Sequence, residues 1–196
     1  MSVPDIEIQE EYLNSKLIIL DRDGVINNNS KNFIKNKNEW VPIEGSIKAI
    51  SKLNEYGFKI LVVTNQSGIG RGLFSKKDLD EIHLKMSLEI KSLGGCIEGI
   101  YYCPHKPEDS CGCRKPNTGL IDKIEKKLKV KVEKAILIGD SMSDMILAHT
   151  INALPILLKT GNGEETIEQL KNTDIRYLYF NNLADATKAI LKLEKL

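Results

Sequence analysis

Six short apolar runs alternate with six amphipathic stretches along this chain of 196 residues, and that alternation limits the fold more than any other feature. The strand-like runs are Lys16–Leu20, Lys59–Val63, Gly99–Cys103, Lys134–Ile138, Pro155–Lys159 and Tyr177–Phe180. Helices are predicted over Ser46–Tyr56, Lys76–Leu93, Asn117–Leu128, Met142–Ile151, Glu164–Lys171 and Leu183–Leu193. In the first helix Ile47, Ile50 and Leu53 share one face, and Gly57 follows as a C-cap. Ser75 caps the second, with Asp78 in its first turn. Repeated strand–helix–strand units need crossovers, which set the strands parallel and cover both faces of the sheet. The expected fold is therefore α/β, a three-layer doubly wound parallel sheet. The length suits one domain, read as residues 16–196 after a short N-terminal extension over residues 1–15.

In such a sheet ligands bind beyond the carboxyl ends of the strands. The first run ends in Asp21-Arg-Asp23-Gly24. Two carboxylates this close repel, so the pair invites a cation or split protonation states. One can attack while the other moves protons, although Asp-Gly also serves as an ordinary turn. Arg22 between them is expected to point to the other side of the chain. The second run leads into Thr64-Asn65-Gln66 and a glycine-rich loop, which suits either phosphate binding or a plain β-to-α connection. Arg114-Lys115-Pro116 precedes a helix whose first turn suits Pro116. Lys115 there would neutralise a phosphate or a nucleophile. The fourth run ends in Asp140, with Asp144 one helical turn later. Magnesium takes carboxylate and carbonyl oxygens, so Asp140 can complete a site begun by Asp21. Asp144 equally suits a helix N-terminus.

The net charge of +1 gives no bias toward nucleic acid or an anionic membrane. No apolar run approaches the roughly 20 residues of a membrane span. The acidic first residues lack the basic and apolar regions of a secretory signal. A cytoplasmic protein without nucleic-acid or membrane partners is expected. Of four cysteines, Cys103, Cys111 and Cys113 fall within eleven positions together with His105. Three thiolates and one imidazole make a closed tetrahedral set for structural zinc. Its work would be to fold the loop that places Arg114 and Lys115. A disulfide or free thiols are the rival readings, and Cys111 and Cys113 lie too close for an easy mutual bridge. Cys96 is read as a small buried or half-buried residue. His83 and His149 are read as structural.

Asp-x-Asp-Gly, a strand-ending Thr, Lys, then Gly-Asp-x-x-x-Asp, in this order over residues 16–160, resembles the haloacid dehalogenase superfamily of phosphohydrolases. The resemblance implies that Asp21 is the nucleophile and Asp23 the general acid/base. It implies that Thr64 and Lys115 bind the transferring phosphoryl group. Magnesium would be held by the carboxylates of Asp21 and Asp140 and by the Asp23 backbone carbonyl.

Two further stretches, Tyr101-Tyr-Cys103-Pro-His105-Lys-Pro and Cys111-Gly-Cys113-Arg-Lys-Pro116, are similar to the D-glycero-D-manno-heptose 1,7-bisphosphate phosphatases and the related histidinol-phosphatases. Those families lack a large cap domain, which implies a capless fold with a small zinc-binding loop. Thr64–Gly72 and Lys159–Gly161 look more like the heptose enzymes, whereas the five residues between His105 and Cys111 approach the histidinol type. By resemblance the substrate is a small phosphorylated sugar, contacted by Asn27, Asn65, Gln66, Arg114 and the Lys35–Trp40 loop, and the enzyme works as a monomer. Trp40 is equally a packing residue at the loop base. A phosphoric monoester hydrolase acting on heptose 1,7-bisphosphate in lipopolysaccharide-core biosynthesis is the leading expectation. Histidinol phosphate is the alternative substrate, and a zinc-stabilised interaction module on a dead scaffold is the alternative without catalysis.

Overall fold

The computed structural model describes residues 8–194. In chain order the elements are α1 (Glu10–Asn14), β1 (Leu17–Leu20), α2 (Ser46–Glu55), β2 (Lys59–Asn65), α3 (Ser67–Gly70), α4 (Lys76–Ser92), β3 (Gly99–Cys103), α5 (Gly119–Leu128), β4 (Ile136–Gly139), α6 (Met142–Thr150), β5 (Leu154–Leu158), α7 (Gly163–Leu170), β6 (Leu178–Phe180) and α8 (Leu183–Leu193). The six strands are all parallel and lie in the order β3-β2-β1-β4-β5-β6. This is the three-layer doubly wound sheet expected from the alternation, and among the described residues it carries no cap domain.

Period-two alternation sorts the strand side chains onto two faces. Ile18, Leu20, Ile60, Val62, Ile136 and Ile138 pack under Ile50 and Leu53 of α2, Ile82 and Met86 of α4 and Ile190 of α8. Leu17, Ile19, Leu61, Val63 and Leu137 pack under Leu120 and Ile124 of α5 and Leu147 of α6. The central strands are covered on both faces, hence their unbroken apolar sequence.

Every expected boundary falls within two residues of the reading, and the two-residue differences have local causes. β4 starts at Ile136 because Lys134 sits at φ 64°, a left-handed backbone that a strand cannot contain. β2 runs on through Thr64 and Asn65, which pair with Tyr102 and Cys103 and so carry polar residues to the sheet's edge. α5 begins at Gly119, so Pro116 precedes the helix, across a cis Lys115–Pro116 peptide, instead of occupying its first turn. Ser75 and Asp78 form a full capping box on α4, and Gly57 takes φ 83° after α2, both as read. The short helices α1 and α3 carry no periodic signal. Leu13 of α1 and Ile8 before it are buried against the α2/α8 face. Cys96, read as at least half-buried, is exposed in the turn before β3, where its N–H donates to Asn54 Oδ1 at 2.8 Å. His149 is also exposed, in the last turn of α6, where a basic side chain complements the helix dipole.

Ile60 is fully buried in the middle of this sheet. Ile60→Ala should lower the unfolding free energy by about 2–5 kcal/mol, read from a urea midpoint, because it opens a cavity. Leu84→Ala, on the exposed face of α4, should shift it by less than about 0.5 kcal/mol.

Candidate active site

The chain winds outward from β1 to β3 on one side, then crosses back to β4 beside β1. The ends of β1 and β4 therefore flank the point where the winding reverses, the usual ligand crevice of this topology. Asp21 and Asp140 emerge there, facing each other across a cavity of about 320 Å³. Thr64, Asn65 and Gln66 at the end of β2, with Arg114 and Lys115, line the same cavity.

Lys115 is the electrostatic centre. Its ammonium is buried and donates to Asp144 Oδ1 at 2.6 Å and to the Val63 carbonyl at 2.8 Å, and it lies 3.0 Å from Asp21 Oδ1. Burial alone would push its pKa down, but Asp144 and Asp21 outweigh that and hold it above the usual lysine range. Asp144 is fixed in turn by a capping box with Ser141. It is thus both a helix-start residue and the partner of Lys115. Asn65 clasps the Lys115 backbone, accepting from its N–H at 3.0 Å and donating to its carbonyl at 3.2 Å.

The carboxylates of Asp21, Asp140 and Asp144 converge within 4.8 Å of one another. Burial pushes Asp21 up to about 6, with Lys115 partly opposing it. Burial, then Asp21 and Asp144, push Asp140 up to about 8. Asp140 is held by Asn162, whose N–H and side-chain amide both donate to Oδ2, at 2.8 and 3.1 Å. Gly24 and Gly161 let the backbone close over it: a Cβ on either would stand 2.1 or 2.0 Å from Asp140 Oδ2. An oxygen-rich, acid-heavy cluster of this kind suits a hard divalent cation such as magnesium.

Asp23 lives in a different environment. The Arg22 Nη2 donates to both its oxygens at 2.9 Å, Asn27 donates to Oδ1 at 2.8 Å, and Gln66 to Oδ2 at 2.8 Å. Burial would raise its pKa, but Arg22 and these hydrogen bonds outweigh it and hold Asp23 below the usual carboxylate range. Gln66 also donates to the Thr64 hydroxyl at 3.1 Å, tying two of the expected site residues together.

Three sequence readings change here, and the one left open for Trp40 resolves toward packing. Arg22 does leave toward α4, but its guanidinium folds back onto Asp23, so it belongs to the site. Asn27 is fully buried and spends its amide on Asp23, so it does not line the cavity. The cavity is lined by Asn29, Ser30, Phe33 and Ile34, ahead of the Lys35–Trp40 segment. Trp40 is fully buried beneath Lys85, whose ammonium lies 5.4 Å from the ring, so packing is its role. Each difference comes from a contact between residues distant in sequence or from a loop without periodicity.

The Cys103, His105, Cys111 and Cys113 ligand atoms gather beside Lys115, with Sγ–Sγ and Sγ–Nδ1 separations of 3.3–3.6 Å. Such sulfurs are not bridged, since a disulfide needs roughly 2.05 Å. Tetrahedral zinc with ~2.3 Å bonds sets neighbouring ligands roughly 3.8 Å apart, so the donor set fits that ion closely. Arg114 donates weakly to the His105 carbonyl at 3.4 Å and otherwise faces the cavity.

The family described as polynucleotide kinase 3 phosphatase matches residues 16–181. The chain is 44% identical over 154 residues to a D-glycero-beta-D-manno-heptose-1,7-bisphosphate 7-phosphatase of Neisseria meningitidis, covering 79% of this chain and 82% of that one. It is 41% identical over 176 residues to the enzyme of that name from Pseudomonas putida, covering 90% and 99%. The crystal structure of a D,D-heptose 1,7-bisphosphate phosphatase from B. bronchiseptica, complexed with magnesium and phosphate, superposes with a TM-score of 0.86 at 37% identity, covering 90% of this chain and 98% of that one.

Lys115→Met should leave Asp21 and Asp144 buried without a counter-charge. The variant should lose about 3–5 kcal/mol of unfolding free energy in metal-free buffer, measured by urea titration. A loss below about 1 kcal/mol would show that the ion pairs do not carry the site.

Proposed function

The chain belongs to the D-glycero-β-D-manno-heptose-1,7-bisphosphate 7-phosphatase family of the haloacid dehalogenase superfamily, and on that premise we propose that it removes the C7 phosphate of that sugar bisphosphate through an aspartyl-phosphate at Asp21. The observation that carries the reading is the convergence of Asp21, Thr64, Lys115 and Asp140 on one cavity, with Asp23 held beside them. The named relatives favour the heptose substrate over histidinol phosphate and over a module without catalysis.

Phosphoryl transfer asks for positioning and charge neutralisation more than elaborate covalent chemistry. Asp21 attacks phosphorus in line, with Lys115 held against its Oδ1 to offset repulsion from the phosphate. The Thr64 hydroxyl would bind a phosphoryl oxygen, and the Lys115 ammonium, which would turn from one of its three present partners to do so, would bind another. The Asp21 and Asp140 carboxylates and the Asp23 carbonyl would hold magnesium, which would supply charge stabilisation to the transferring group. A phosphate brought beside Asp23 favours its protonated form, which then donates to the leaving alkoxide. The resulting carboxylate, which Arg22 stabilises, takes a proton from the water that cleaves the aspartyl-phosphate. Arg114 at the cavity rim suits the remote phosphate of a bisphosphate, since a guanidinium binds phosphate in a two-pronged way.

Zinc held by Cys103, His105, Cys111 and Cys113 is the second part of the reading. It would stiffen the loop that delivers Arg114 and Lys115, and its thiolates fit a reducing cytoplasm. Among the described residues no helix is long and apolar enough to cross a membrane.

Phosphate release from heptose 1,7-bisphosphate should exceed that from histidinol phosphate in a side-by-side assay with magnesium. Asp21→Asn should remove on the order of a thousandfold or more of it while the circular dichroism spectrum is unchanged. Equal turnover of the two substrates would overturn the substrate assignment. Protein purified without chelators should contain about one zinc per chain by elemental analysis, and Cys111→Ser should lower both zinc content and melting temperature.

A further inference from the structure

The buried face of α4 is apolar except at one position. Leu79, Ile82, Met86 and Ile90 pack on the sheet, and His83 sits among them, only 8% exposed. Packing alone does not call for an imidazole there, since burying an unpartnered ring nitrogen costs free energy. Its Nε2 has a partner. It lies 3.4 Å from Nη1 of Arg22, whose guanidinium is fully buried. A guanidinium has no acceptor, so Nε2 accepts and the ring proton of the neutral imidazole sits on Nδ1. Tyr102, with its ring centre 6.0 Å away and tilted 58°, sets the imidazole plane.

The other arms of the fork are accounted for. Nε donates to Asp23 Oδ1 at 3.2 Å, and Nη2 donates to both Asp23 oxygens at 2.9 Å and to Gln66 Oε1 at 3.2 Å. Among the described residues, His83 is the partner of Nη1. Arg22 is a long side chain with several rotatable bonds. Asp23 and Gln66 engage the Nε and Nη2 side of the fork, and a carboxylate gripped there is fixed no better than the fork itself is held. The α4 contact anchors the far end of the fork.

We propose that His83 is a positioning residue for this reaction: its Nε2 anchors the buried Arg22 fork, which in turn fixes the direction of the Asp23 carboxylate. The inference rests on the reading of Asp23 as the proton donor and acceptor. Removing the anchor leaves a buried N–H unpaired and lets the fork and Asp23 turn together. The first chemical step then suffers wherever the leaving group needs a proton.

That dependence supplies the test. kcat/KM is measured for wild type, His83→Leu, His83→Gln and Asp23→Asn, with heptose 1,7-bisphosphate and with p-nitrophenyl phosphate. The sugar leaves as a basic alkoxide and needs the proton, whereas nitrophenolate leaves without it. Because kcat/KM covers steps up to formation of the aspartyl-phosphate, the later hydrolysis does not enter. The ratio of the two values is independent of how much of a variant is folded. His83→Leu should lose roughly tenfold or more on the sugar and less than about twofold on the nitrophenyl ester. His83→Gln, which keeps an acceptor, should recover most of the loss. Equal losses on both substrates, no loss on the sugar, or His83→Gln behaving like His83→Leu would each overturn the proposal. Asp23→Asn separates the two levels. If it shows the leaving-group dependence and His83→Leu does not, only the His83 role fails. If Asp23→Asn lacks that dependence, the acid assignment fails and the His83 role with it.

Discussion

Three carboxylates share a buried space of less than 4.8 Å with one ammonium, and most of the site follows from that imbalance. Like charges in a partly desolvated cavity interact far more strongly than in water. Lys115 answers one charge and is held from three sides, by Asp21, Asp144 and the Val63 carbonyl. The remaining excess is what a divalent cation would take up, and an anionic substrate is tolerated only where such cations have been assembled first. The parallel sheet makes the gathering possible. It brings the ends of β1, β2 and β4 to one edge, and its reversal of winding opens a gap between β1 and β4.

Asp21 and Asp23 stand two residues apart and yet occupy opposite electrostatic settings. Burial, then the neighbouring Asp144 and Asp23, push Asp21 up to about 6 against the pull of Lys115. Asp23 faces a guanidinium and two amides and is pushed down. Splitting a carboxylate pair in this way would let one short motif supply both the proposed nucleophile and the proposed proton carrier. The divergence comes from the partners: Asp21 lies against Lys115, while the Arg22 side chain reaches α4 and returns to Asp23. The zinc-type loop joins this arrangement through backbone contacts. The Gln66 N–H donates to the Cys103 carbonyl at 2.7 Å, and Asn65 clasps Lys115, so the ends of β2 and β3 and the loop are tied together.

The sheet and the candidate catalytic set were legible in the sequence because their signals are local. Apolar runs mark strands, and polar residues directly after them mark the sheet's functional edge. The supporting contacts were not legible, because each joins residues far apart in the chain. Asn65 reaches Lys115 across 50 positions, Arg22 reaches His83 across 61, and Lys115 reaches Asp144 across 29. Asn27 reads as a polar loop residue, and its full burial against Asp23 follows from the chain folding back onto itself through the Asp23–Asn27 and Asn27–Pro42 bridges. The cavity wall lies at Asn29–Ile34, ahead of the expected Lys35–Trp40, and Trp40 is buried in the core, which the composition of a polar loop does not reveal.

The claim at the centre of this account is that Asp21, freed by its surroundings to act as a nucleophile, carries the phosphoryl group. The direct measurement is to quench the enzyme with borohydride during turnover of heptose 1,7-bisphosphate and map the modified peptide by mass spectrometry. Reduction of an aspartyl-phosphate leaves homoserine, and the account predicts homoserine at position 21, dependent on substrate and magnesium. Active enzyme with unmodified Asp21, or with the modification on another carboxylate, would contradict it.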